Sequence, residues 1–321
     1  MCMTRIFTFL TILTMAVTGA GCLGSREVPR VTTVPVGQWP NDVAFDPGSA
    51  RLFVADEGSA TVTVLQSDGK HVDTISLTTR ARHLAVDPEL GHLYAPNEGS
   101  AFVAAFDTRD LEERFRVPVG REPHGIAVDR ASHRVFVGNE GDGSLTAFDG
   151  RTGHVLFTLP VGPGPGGIAA DRLTGRVFVV SVKADRVVVV DGNRGHTLTE
   201  IRVGRGPTHL GVNPQSGIVY VLNSGDNSVT VLDGRQMHPL KTIRVGNYPI
   251  GIAVDEKAGR TYVVNNRENS LSIIDESSLE VREKRHIPSN VSNVALNIPE
   301  GLLYLALKSQ DRVALVRVRD L

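Results

Sequence analysis

The feature that most constrains this 321-residue chain is a sentence that it repeats. Val119–Asp149 reads VGREPHGIAVDRASHRVFVGNEGDGSLTAFD, and near-copies follow as VGPGPGGIAADRLTGRVFVVSVKADRVVVVD, VGRGPTHLGVNPQSGIVYVLNSGDNSVTVLD and VGNYPIGIAVDEKAGRTYVVNNRENSLSIID. Counted on the Asp or Asn that closes each IAVD-like motif, the copies fall at Asp46, Asp87, Asp129, Asp171, Asn213, Asp255 and Asn297, in steps of 41, 42, 42, 42, 42 and 42. An aromatic residue keeps the same beat at Phe53, Tyr94, Phe136, Phe178, Tyr220, Tyr262 and Tyr304. A period near 40 residues is that of propeller blades.

Each copy contains four short apolar runs, for example HGIAVD, VFVGN, SLTAFD and HVLFTLPV, bounded by Gly, Asp, Asn and Pro. That pattern predicts four strands per copy and no helix. The last copy stops after its third strand, Arg312–Val318, while an unmatched strand, Arg30–Val36, precedes the first copy. Placing that strand fourth in the last blade closes a ring and removes two open sheet edges. The expected fold is therefore all-β: a seven-bladed β-propeller of four-stranded antiparallel blades, closed by the N-terminal strand.

The repeat VGxxPxGIAVDxxxGRxYVxNxxxNSxxxID, clearest over Val245–Asp275, resembles the YVTN-type β-propeller repeat family. Tyr262–Asn265 (YVVN) and Tyr220–Asn223 (YVLN) stand where that family carries its tetrapeptide. The resemblance implies the fold. For function it spans surface proteins, ligand or partner binders, and lactonase-like or redox enzymes.

The first residues read differently. Arg5, the apolar run IFTFLTILTMAV and the small residues TGAGC describe an export signal over residues 1–22. TGAGC resembles the bacterial lipobox, with Gly19 departing from its usual aliphatic residue, so the expectation is a cell-envelope lipoprotein anchored through Cys22, or else cleavage and secretion. Residues 23–30 read as a tether and 31–321 as one propeller. Cys2 and Cys22 are the chain's two cysteines, so disulfides, Cys-ligated zinc and a Cys nucleophile are excluded from Leu23 onward. The net charge of −1 argues against a nucleic-acid surface.

Most repeated residues carry scaffold readings. The Asp residues of VDP, VDR and FDG make turn bonds. No DxDxDG loop marks calcium, and GPGPGG (Gly162–Gly167) lacks the strand–helix setting of a dinucleotide loop. GxSxG, HExxH and CxxCH are all missing from the sequence.

Function is expected where the copies differ. The two positions after the Pro slot read Asn41–Asp42, Arg82–His83, His124–Gly125, Gly166–Gly167, Thr208–His209, Ile250–Gly251 and Ser292–Asn293. Gly is commonest in the second, so Asp42, His83, His209 and Asn293 stand out, with His124 and Arg82 beside them. In a propeller these loops share the channel mouth with those joining the second and third strands, which contribute Asn139, Asn223, Glu57, Glu98, Glu140, Lys183 and Lys308. Trp39, the single Trp, is read either as stacking on a flat ligand or as packing over the ring closure. The Gly-rich slot of blade four suggests an open notch flanked by His124 and His209.

His83, His124 and His209 are candidate zinc or copper ligands; their alternative role is bonding to loop carbonyls or water. The leading expectation is an exported, non-enzymatic binding or scaffold propeller that offers its channel face to a small molecule or protein partner. The rivals are a metal-dependent lactonase-like hydrolase and a propeller that binds haem without covalent attachment. No cofactor is named by the sequence.

Overall fold

The computed structural model describes residues 31–321, so the export signal, Cys22 and the tether lie outside the described residues. Seven four-stranded antiparallel sheets are present, and in six of them the strands lie side by side in sequence order. The seventh contains Val291–Asn297, Leu302–Leu307 and Arg312–Arg317, with Val31–Pro35 added at its outer edge. The added strand runs antiparallel to Arg312–Arg317, in a register from Val31 opposite Val316 to Pro35 opposite Arg312. The expected closure is therefore observed.

The core lies between blades. One cluster joins Tyr94 and Val103 of blade two to Val135 and Phe148 of blade three, and another joins Leu52 and Val54 of blade one to Tyr304 and Leu315 of blade seven. Tyr is used where a hydroxyl can cross to the next blade: Tyr94 donates to the Gly150 carbonyl at 2.8 Å and Tyr304 to that of Ser67 at 2.9 Å. Arg51, Arg134 and Arg176, one repeat apart in the last two cases, likewise donate to carbonyls of the following blade (Thr108, Gly192 and Gly234). The Asp residues that close the first strands make the expected turn bonds, as when Asp46 accepts from the Gly48 amide and Asp171 from that of Leu173.

Strand one of each blade lines the axis, and its ladder breaks just after the Pro slot. Register shifts fall between Pro123 and Ile126, Pro165 and Ile168, Pro207 and Leu210, and Val291 and Val294, with shorter ones after Pro40 and Pro249. Such bulges leave residues unpaired and re-aim their side chains. Here they turn the two variable positions toward the channel. Blade two differs further. Its first strand is only Ala85–Asp87, and Ala81 stands where five of the other six blades have Pro and blade seven has Val291.

Candidate functional site: a histidine cluster in the central channel

The seven first strands converge so tightly that side chains from opposite blades meet. His83 of blade two lies between His124 of blade three and His209 of blade five, with ring centres 4.7 and 5.1 Å away and both contacts edge to face. Asp42, His83, His209 and Asn293 line one cavity of about 130 Å³, together with Gly125, Gly167 and apolar side chains including Ile126 and Ile168. Blades far apart in sequence thus supply a single cluster.

Asp42 organises its blade-one side. Its Oδ1 accepts from the Val43 amide at 2.9 Å and from Asn293 Nδ2 at 2.6 Å, which ties blade one to blade seven. Its Oδ2 accepts from the Leu84 amide at 2.9 Å and lies 3.4 Å from His83 Nδ1. The Leu84 N–H is free for this bond because the first strand of blade two starts one residue later, at Ala85.

The other two imidazoles are not held in this way. His124 Nδ1 and both ring nitrogens of His209 are buried without a hydrogen-bond partner. The anticipated bonds to loop carbonyls are thus missing at these atoms. Burial, reinforced by the neighbouring His83, pushes the His124 imidazole down to about 2 and His209 to about 3. Both rings are neutral at any ordinary pH. Among the described residues, no three His, Cys, Asp or Glu side chains are oriented as placed to hold a metal ion.

Above the cavity runs a charged rim. Lys308 donates to Glu57 Oε2 at 2.6 Å, Arg82 Nε reaches Glu57 at 3.0 Å and Glu98 at 3.2 Å, and Arg80 meets Glu98 at 2.9 Å. Arg82 therefore belongs to this rim and to the larger cleft it borders with Glu122 and Glu140, rather than to the histidine cavity. The Glu98 side chain is largely buried in the network.

Three anticipated features sit elsewhere. Asn139 and Asn223 are fully buried and donate sideways within their own blades, Asn139 to Ser144 and Thr146 and Asn223 to Ser228 and Thr230. They hold the second strand to the third and do not reach the channel. Trp39 occupies an exposed turn at φ 53° and does not line the cavity; its amide donates to Asp311 Oδ1 of blade seven. Nor is blade four an open notch: a Cβ on Gly167 would lie 2.7 Å from the His209 Cα, so glycine is there because the first strands crowd one another.

The loop end of blade one holds a further oddity. Asp56 replaces the Asn of the equivalent sites Asn97, Asn139, Asn223 and Asn265. Its Oδ2 accepts from both the amide and the hydroxyl of Thr63, while Oδ1 has no partner. Burial pushes this carboxyl up to about 6, against the pull of the Thr63 and Thr61 hydroxyls.

The architecture thus defines a seven-bladed propeller with one polar, histidine-bearing cavity at its axis. The profile of the family described as "Lactonase, 7-bladed beta-propeller" matches residues 69–320, and the chain belongs to that family. Among solved structures it is similar to a chain of Kuenenia stuttgartiensis hydrazine synthase, at 16% identity and a TM-score of 0.75, covering 93% of this chain and 99% of that one. At that identity the likeness is one of fold. No curated protein matches the chain.

Proposed function

We propose that the chain is an exported, non-enzymatic binding propeller that takes a small ligand into its channel through the mouth rimmed by Lys308, Glu57, Arg82 and Glu98. One observation carries the reading: the cavity concentrates the polar residues that break the repeat, and it leaves the ring nitrogens of His209 buried and unbonded. An unbonded buried polar group costs roughly 1–3 kcal/mol, which a ligand partner offsets. Export, with anchoring through Cys22 or simple secretion, belongs to the same proposal. Loss of lipid labelling and release from the membrane fraction in Cys22→Ser distinguishes the two routes.

The family description favours one competitor, a lactone hydrolase. Its chemistry calls for a base that takes a proton near neutral pH. His124 and His209, pushed down to about 2 and 3, are poor candidates, and both Asp42 oxygens are engaged. A haem site is disfavoured by size, because 130 Å³ falls well below the roughly 300–1,000 Å³ of typical cofactor pockets.

Native mass spectrometry of the wild-type chain and the His124→Ala/His209→Ala pair tests the proposal. A bound species retained by the wild type and lost by an equally stable double variant is the expected result. A bound species retained by both sinks it, and turnover of γ- or δ-lactones that disappears in the double variant establishes the hydrolase instead.

A further inference from the structure

We propose that His83, His124 and His209 bind one first-row transition-metal cation of the Zn²⁺, Co²⁺ or Cu²⁺ kind, with Asp42 supporting His83 from behind. The inference rests on the reading of the channel as a binding site and names its ligand class.

Geometry is the first support. Imidazoles that share an ion at about 2.1 Å have ring centres roughly 4.5–5.5 Å apart. The separations of His83 from His124 and His209, 4.7 and 5.1 Å, fall in that range. The rings as placed meet edge to face, but no hydrogen bond fixes His209 or the Nδ1 of His124. The terminal torsion of His is broad, so rings held by packing alone can turn toward a shared ion.

The second support is the donor set. Three nitrogen donors with no thiolate suit zinc, copper, nickel or cobalt over magnesium or calcium. A metal takes the imidazole through a ring nitrogen, and both nitrogens of His209 and Nδ1 of His124 are buried without a hydrogen-bond partner.

Asp42 is the third. Metal-bound His residues characteristically give their other ring N–H to a carboxylate, which fixes the tautomer and orients the ring. Asp42 Oδ2 stands 3.4 Å from His83 Nδ1, and its carboxylate is itself locked by Asn293 and the Leu84 amide. That arrangement leaves His83 Nε2 for the cation. Cavity size agrees: about 130 Å³ matches a handful of waters at ~30 Å³ each, hence a cation with its remaining water ligands.

The test is titration of the purified full-length chain with Co²⁺, followed by visible absorption and calorimetry, with Zn²⁺ in competition. One equivalent is expected to bind with visible d–d bands and to be displaced by Zn²⁺. His209→Gln should weaken binding at least 100-fold and Asp42→Asn by about 10- to 100-fold, while His196→Gln, at an exposed strand end, binds as the wild type does. Circular dichroism checks folding, and His124→Gln replaces His209→Gln if the latter does not fold. Absence of stoichiometric Co²⁺ and Zn²⁺ binding, or binding unchanged in His209→Gln and His124→Gln, overturns the proposal. If the wild type instead retains an organic molecule that the channel double variant loses, the metal is refuted and the channel reading stands.

Discussion

Two sets of buried polar residues in this ring differ in what their nitrogens do. At the ends of the second strands, Asn139, Asn223 and Asn265 recur at equivalent positions, and each spends its amide donors on hydroxyls of the adjacent strand, although the carbonyl oxygens of Asn139 and Asn223 stay unbonded. In the channel, His83 and His209 share a slot that is Gly in three copies, Asp in one and Asn in one, His124 holds a neighbouring slot that no other copy fills with His, and His124 and His209 keep buried nitrogens unbonded. Repetition with satisfied donors marks scaffold. Singularity with unsatisfied nitrogens marks a place where the protein gave up stability for something else.

The hardest blow to the scaffold side is deletion of Val31–Pro35. Blade seven would lose a strand of its ladder and the packing of Val34, and the outer edge of Arg312–Arg317 would open. The expected loss exceeds about 4 kcal/mol by urea denaturation. Removal of the strand without a change in midpoint would refute ring closure as a source of stability.

Asn223→Ala should cost about 1–3 kcal/mol, because the Ser228 and Thr230 hydroxyls lose their buried partner. Metal or ligand binding in the channel should stay as in the wild type. A binding defect in a folded Asn223→Ala would blur the division drawn above.

Asp56→Asn sharpens it from the other direction, by restoring the repeat. The Asp56 carboxyl is raised from 3.8 to about 6 in the folded chain, so its contribution is fully present below pH 3.8 and is lost as the pH rises through 6. The variant should therefore gain about 1–2 kcal/mol at pH 8 and essentially nothing at pH 3.5, the full shift being an upper bound near 3 kcal/mol. Equal effects at both pH values would mean that the carboxylate is not the cause.

The channel pair His124→Ala/His209→Ala should change stability at pH 7 by less than about 1 kcal/mol. The pH profile carries the stronger signature. Both imidazoles are depressed from 6.5, so the wild type loses stability as the pH falls below 6.5 toward the folded values of about 3 and 2. The double variant should lack much of that acid limb. Trp39→Ala is the smallest change, within about 0.5 kcal/mol, since its side chain is exposed.

The ring was legible in the chain because a 42-residue period, β-rich runs and a displaced terminal strand each state the same architecture. The identity of the channel residues was legible too, as exceptions at one slot of the repeat. Their proximity was not. Blade number suggests that His83 and His209 stand apart, and only the narrowness of the axis and the bulges after Pro bring their rings together. Asn139 and Asn223 looked like mouth residues because loop position does not reveal which way a side chain turns. A fainter signal did exist for His83: Ala81 in the slot that is Pro in five copies sets apart blade two, whose first strand starts late.

The closing strand also decides how this molecule can be held. Val31 pairs with Val316 at one end of the outermost ladder and Pro35 with Arg312 at the other, from which the chain turns over the rim into blade one. Val31 therefore lies on the side of the disc away from the histidines. A grip on that end works like the stem of a cup: it leaves the histidine side free, and any pull on it is borne first by the ladder of blade seven.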